Sequence, residues 1–250
     1  MKVKFLFVGV TQHSDIKSIY WNEIAKNYKD NIAGKLVEVD TQFILNNTKG
    51  LGTVYNQILL ENRSNYDYIV FMHADTLFSN FRAFLAEVLF SKGDIMGLAG
   101  ATAFPYYGKS PVAWNTNGGN SQAGEVWHKI NSEYPIVKNL YANTPKADKA
   151  TTVDGVCLIF SKNALNDLNL VFDERFTFDF YDMDLCFTAT KLGKKISIIH
   201  APVIHYSTGS GILNDRYRQL EVIFREKWNI PNEITSYTYD KWVSLMMTNS

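Results

Sequence analysis

The strongest constraint on this chain is the alternation, over its first hundred residues, of short apolar runs with helix-length segments. Phe5 to Val10 is almost unbroken in its apolarity, which suits a strand covered on both faces. Ser14 or Asp15 then stands where a helix N-cap is needed, ahead of Ile16, Ile19, Tyr20, Ile24 and Tyr28 at near-helical spacing. Lys35 to Val39 reads as a second strand, Thr53 to Glu61 as a helix and Tyr66 to Met72 as a third strand. Ser79 to Phe90 reads as another helix and Ile95 to Ala101 as a fourth strand. Strands separated by helices pair side by side through right-handed crossovers, so the pattern predicts an α/β fold with a mainly parallel sheet.

Regularity fades from Thr102 to Thr152, where Asn, Gly, Ser and Gln interrupt any period. A long irregular stretch inside a compact domain is expected to be functional or mobile. Val156 to Ser161 restores a strand, Asn163 to Leu168 a short helix, and Tyr181 to Leu192 a helix stopped by Gly193. Strands at Lys195 to His200 and Val203 to Tyr206 precede helical segments at Asp215 to Trp228 and Tyr239 to Met247, with Pro231 between them. With 250 residues, no internal repeat and no linker, one domain over residues 1–250 is expected.

A net charge of zero gives no reason to expect a polyanionic partner, so nucleic acid is not expected. Two cysteines, Cys157 and Cys186, are too few for a disulfide framework or a four-cysteine zinc site. Both sit in apolar runs, as buried thiols in a reducing compartment do. The N-terminal apolar run is too short for a signal peptide, and no window approaches the ~18 apolar residues that span a bilayer. A cytoplasmic location is expected, with peripheral membrane contact left open. Aromatic residues make up 14% of the chain, enough to fill a core and still line a sugar site. Trp228, Trp242, Met246 and Met247 in the tail fit a homodimer contact, a membrane-adjacent face or closure of the core equally well.

Three clusters can carry chemistry. The first is His73-Ala74-Asp75, directly after the third strand. Its two polar side chains project from one side of an extended chain, and the carboxyl ends of strands are where α/β sheets bind ligands. A carboxylate there can hold a divalent cation against a diphosphate, although a turn cap and a packed histidine account for the same residues. The second is Asp179, Asp182 and Asp184, set among Phe178, Phe180 and Tyr181 at a helix start. One acidic residue there is an ordinary cap; three among aromatics suggest a partly desolvated general base. The third is His200 and His205. His200 is read as a hydrogen-bonded core residue, whereas His205 leads into Tyr206-Ser207-Thr208-Gly209-Ser210-Gly211, a flexible hydroxyl-rich loop suited to phosphate or metal. The Lys49-Gly50-Leu51-Gly52-Thr53 stretch before a helix can cradle phosphate on backbone N–H groups, but it lacks the remainder of a P-loop or dinucleotide fingerprint and is read as a tight turn. Trp114 and Asn115 can either face a bound ligand or anchor their loop.

In this order and at these separations the three clusters resemble the inverting GT-A glycosyltransferases of family 2, nearest to the bacterial StrF-type branch. In that family a strand ends in an Asp-x-Asp metal motif, where this chain has His73-Ala74-Asp75. A Glu-Asp-x-Asp-Leu helix start is matched by Tyr181-Asp182-Met183-Asp184-Leu185, and its glycine stop by Gly193. Val153 to Ile159, containing Asp154, resembles the acceptor-side strand. The resemblance covers roughly residues 1 to 210. It implies a GT-A fold with a nucleotide-binding half (1–101), an acceptor and catalytic half (102–210) and a helical tail (211–250). It further implies Mn²⁺ or Mg²⁺ held by Asp75 and His205, nucleotide contacts from Thr11, Asp40, His73 and Asp75, and Asp182 as the base. Trp114, Asp154 and Asp184 would meet the donor or acceptor sugar. The expected partners are a nucleotide-sugar donor, UDP-linked by preference, and a carbohydrate or lipid-linked acceptor.

Two departures stand out: His73 replaces the first Asp of the metal motif, and Tyr181 replaces the Glu before Asp182. An imidazole in place of a carboxylate removes charge and adds a softer ligand, which suits Mn²⁺ better than Mg²⁺. The same departures favour an alternative, a degenerate relative that binds a nucleotide sugar or carbohydrate without turnover. A sugar-1-phosphate nucleotidyltransferase would need a Gly-rich, basic loop after the first strand, where this chain reads Gly9-Val10-Thr11-Gln12-His13.

Overall fold

A computed structural model describes residues 2–22, 36–104, 121–129, 137–139, 144–206, 214–231 and 236–248. Six of the seven predicted strands contribute to a six-stranded central sheet. In chain order the strands that build it are β1 (Val3–Val10), β2 (Val37–Ile44), β3 (Tyr68–His73), β5 (Ile95–Gly97), β11 (Cys157–Ser161) and β12 (Ile196–Ile198). Their spatial order is β12-β5-β11-β3-β1-β2. β2 and β3 both run parallel to β1, and β12 runs parallel to β5. β11 is antiparallel to both of its neighbours, so the sheet is mixed, with one reversed strand.

Alternate residues of these strands supply two cores. Leu6, Val8, Ile69 and Phe71 face one side, with α1 (Leu51–Asn62), α4 (Tyr181–Lys191), α5 (Asp215–Lys227) and α6 (Ser236–Met247). Phe5, Phe7, Val70 and Met72 face the other, with α2 (Phe81–Phe90). The doubly covered strands are what their unbroken apolar runs require. Each fully buried Phe, such as Phe71 stacked on Tyr55 at 4.2 Å, contributes on the order of 2 kcal/mol. Both cysteines are buried and free. Trp242 and Met246 are buried as well, and the Trp242 indole donates to the Trp228 carbonyl at 2.8 Å. The tail therefore closes the core.

Several expectations need correction. Asp15 caps only a short 3-10 turn (Ile16–Ser18), its carboxylate accepting from Lys17 N; Ile24 and Tyr28 lie outside the described residues. β2 extends to Ile44 instead of stopping at Val39, because the whole of Val3–Val10 pairs with it. The segment Ile95 to Ala101 is two strands. After β5 the chain leaves the central sheet, and β6 (Ala99–Ala101) joins a second sheet in the order β10-β6-β7. In that sheet β7 spans Gln122–Gly124 and β10 Thr152–Val153. A Cβ at Gly100 would lie 2.0 Å from Thr152 O, so only glycine admits β10 so closely.

The stretch read as irregular contains strands too. A third sheet joins β4 (Thr76–Phe78), β13 (Val203–His205), β8 (Val126–Lys129) and β9 (Val137–Asn139) in that order. These strands are three or four residues long and, apart from β8 with β9, are paired by distant partners, which leaves little local period to detect. The short helix α3 covers Lys162–Leu165, and α4 ends as expected, with Gly193 at φ 67°.

Candidate functional site

Register brings the candidate residues to one edge. Val10 lies level with Ile44 on one side and with His73 on the other, so β1, β2 and β3 end in one row. Beyond that row come Thr11, Asn47 and Ala74-Asp75, and a cavity of about 700 Å³ opens against them. Its walls include Thr11, His73 and Asp75 and, across the opening, Phe178 and Arg216. The Lys49-Gly50-Leu51 turn also lines it. That turn leads into α1, as expected, with Leu51 N donating to Thr177 O at 2.7 Å. Its place on the wall goes beyond the reading as a plain turn, since nothing local marks which turns the sheet brings together.

Thr11 is nearly buried, and its hydroxyl accepts from His13 N and Ser18 Oγ, both at 3.2 Å. Asp40 is displaced from the expected place. Because β2 runs on to Ile44, Asp40 sits in mid-strand opposite Leu6, accepts from the Tyr66 hydroxyl at 3.2 Å and does not line the cavity. The chain end of β2 presents Asn47 in its stead.

His73, Asp75 and His205 form a cluster in which one ligand atom from each lies within 4.8 Å of the others. Pairing of β13 with β4 sets His205 opposite Thr76, and Tyr206 N donates to Asp75 O at 2.8 Å. This pairing carries His205 Nε2 to 3.2 Å from Asp75 Oδ1. Burial pushes the Asp75 carboxyl up, but the His205 hydrogen bond and the two imidazoles outweigh it and hold it below the usual carboxylate range. Burial, reinforced by His205, pushes the His73 imidazole down, so it is neutral at pH 7. His128 follows the same side of the sheet: it is level with His205, ring centroids 5.1 Å apart. Sequence reading missed it because β8 lies in the stretch that looked irregular. Two imidazoles and one carboxylate, with an open cavity beside them, are a donor set fit for one divalent transition-metal ion.

The reversed strand β11 brings a second group of residues to the end of β3. Cys157 lies level with Met72, so the residues before β11 arrive beside the end of β3, where His73 N donates to Val156 O at 3.1 Å. Asp154 and Gly155 are thereby set against the start of α4. Asp182 Oδ2 accepts from Gly155 N at 2.8 Å and Oδ1 from Met183 N at 2.8 Å. Burial and the negative charge of Asp154 outweigh those two bonds and push the Asp182 carboxyl up to about 7. Among the described residues Asp182 has no ion pair.

The other two acidic residues of the cluster are satisfied elsewhere. Asp179 pairs with Arg216 Nε at 2.9 Å, and the Arg216 guanidinium lies 5.3 Å from the Phe178 ring. Asp184 is fully buried on the side of α4 that packs on the tail. There it meets Lys227 Nζ at 2.7 Å and the Trp228 indole N–H at 2.8 Å, apart from the cavity. A helix turns by about 100° per residue, so Asp182 and Asp184 diverge by about 200°. His200 is hydrogen-bonded as expected, to Glu125 at 3.0 Å, but its side chain is 43% exposed and not in the core. Trp114, Asn115 and the loop 207–211 lie outside the described residues.

The model of a glycosyltransferase-like family matches residues 24–228. No curated protein matches the chain. Among solved structures, residues 1–349 of S. aureus TarS, in complex with UDP-GlcNAc, superpose with a TM-score of 0.51 at 10% identity. That match covers 100% of this chain and 72% of the other. A second S. aureus TarS structure gives the same TM-score and identity over 100% of this chain and 43% of that one. At this identity the likeness is one of fold.

Proposed function

Since the chain belongs to the glycosyltransferase-like family, with the GT-A architecture of its family 2-like members, we propose that it is a metal-assisted inverting glycosyltransferase. The donor is a nucleotide-diphosphate sugar, UDP-linked by preference, and the acceptor a carbohydrate or lipid-linked hydroxyl. The observation that carries this reading is the juxtaposition, at one sheet edge, of the His73–Asp75–His205 cluster with a carboxylate raised to about 7. A base for a hydroxyl must be unpaired and able to take a proton near neutral pH, and among the described residues Asp182 meets both conditions.

The nucleotide occupies the cavity beside Thr11 and Asn47, with its diphosphate directed to the cluster and to Lys49 and Arg216. Asp75 and His205, joined by His73, hold a divalent cation, Mn²⁺ in preference to Mg²⁺. When bound, such a cation supplies Lewis-acid neutralisation of the leaving diphosphate. Asp182 takes the acceptor proton on the opposite side, with Asp154 keeping its pKa high and the N–H groups of Gly155 and Met183 aiming it. Direct displacement with one base inverts the anomeric carbon and needs no protein nucleophile. Residues 1–101, 102–210 and 211–250 act as nucleotide half, acceptor half and tail of one domain, a reading supported by Arg216 reaching the cavity from α5.

Calorimetric titration of UDP with and without Mn²⁺, on wild type and Asp75→Ala, tests this. Metal-dependent binding that disappears in the variant is the expected result. Binding of no nucleoside diphosphate under any condition would overturn the transferase reading.

A further inference from the structure

The Tyr181 hydroxyl is buried between two groups of the site. It lies 3.3 Å from His73 Nε2 and 3.2 Å from Gly155 O. A carbonyl oxygen can only accept, so the phenolic proton points to Gly155 and a phenolic lone pair faces His73. An acceptor at that position calls for a proton on Nε2. Nδ1 is then the bare nitrogen of His73, with its lone pair available to a cation. Glycine makes room for the contact: a Cβ at Gly155 would lie 2.0 Å from the Tyr181 hydroxyl oxygen. The N–H of the same residue goes to Asp182 Oδ2 at 2.8 Å. One glycine thus holds both the hydroxyl that orients His73 and the carboxylate of the base.

We propose that Tyr181 is a positioning residue for metal binding, fixing His73 as its Nε2–H tautomer so that Nδ1 completes a three-ligand site with Asp75 and His205. This rests on the reading of that cluster as a metal centre. It also makes His73 and Tyr181, the two departures from the family pattern, a single unit, because the side chains are in contact. A neutral phenol suits an imidazole ligand: it accepts the second N–H without adding charge. Outer-shell partners of a ligating histidine change metal affinity by about 10–100-fold.

The test is calorimetric titration of the full chain with Mn²⁺ and with Co²⁺, nucleotide absent, on wild type, Tyr181→Phe, His73→Ala and the double variant. Tyr181→Phe should weaken binding about 10–100-fold, and should add nothing further once His73 is removed. Two-bond ¹⁵N–¹H correlation spectra of the metal-free wild type should place the His73 proton on Nε2. Wild-type affinity in Tyr181→Phe, or a His73 proton on Nδ1, would overturn the proposal while leaving the metal centre standing. Failure of the wild type to bind either cation would remove the metal centre and the proposal with it. If Tyr181→Phe does not fold, the wild-type spectrum decides.

Discussion

Asp182 offers the sharpest link between stability and chemistry. Its carboxyl titrates at about 7 in the folded chain, against 3.8 for the ordinary group, so the fold prefers the protonated form. Between about pH 4 and pH 7 the unfolded chain has lost this proton and the folded chain has kept it. Stability contributed by the group is therefore complete below about pH 4 and falls as pH rises, by about 1.4 kcal/mol per unit, levelling above about pH 7. The shift amounts to on the order of 4 kcal/mol as a ceiling, since the carboxylate is only partly buried and solvent screens it. Asp182→Asn has no such proton. Its amide also meets a backbone N–H where an oxygen accepted one, which adds a constant cost of about 1–3 kcal/mol. The informative quantity is thus the difference between variant and wild type as a function of pH. Urea denaturation at intervals from pH 4.5 to pH 8.5 should show the variant gaining on wild type by a few kcal/mol across that range. Transfer by wild type should rise through about pH 7, while residual activity of the variant stays flat. A stability difference that does not change with pH would refute the raised pKa and the reasoning built on it.

Three further outcomes follow from the same geometry. Lys227→Met leaves the buried Asp184 carboxyl with the Trp228 indole as its one remaining side-chain partner among the described residues, and should cost about 3–5 kcal/mol in denaturation; adding Asp184→Asn should recover much of it. Gly155→Ala forces a methyl group into the Tyr181 hydroxyl and should cost about 1–3 kcal/mol, with a larger fractional loss of transfer activity than of melting temperature. Mn²⁺ should raise the melting temperature at concentrations where Mg²⁺ does not, because two of the three ligand atoms at the cluster are imidazole nitrogens.

Much of the scaffold is legible without coordinates. Strands such as Phe5 to Val10 and helices such as Tyr181 to Lys191 carry their own period and their own stop signals, and burial follows from them. Local reasoning marks His73, Asp75, His205 and the group Asp179, Asp182 and Asp184 as candidates, since polar side chains at strand and helix ends in apolar surroundings are conspicuous; the choice of Asp182 as base came from the family resemblance. The resemblance also pointed to Asp40, whose place depended on the length of a paired strand, and to Asp184, which by sequence is as conspicuous as Asp182. Two helical positions apart, the pair diverges to opposite duties: one carboxylate meets Lys227 in the core and the other meets Gly155 beside the end of β3.

The sequence by itself determined the α/β alternation, the buried strands and the identity of the groups able to do chemistry, because these depend on neighbours a few residues away. Only the tertiary structure decided which groups meet. The reversed β11 brings Gly155 to Tyr181 and Asp182, and the β13 pairing brings His205 to Asp75 across 130 residues of chain. Those contacts follow from strand order and register, set by packing of the whole chain, and no local period encodes them.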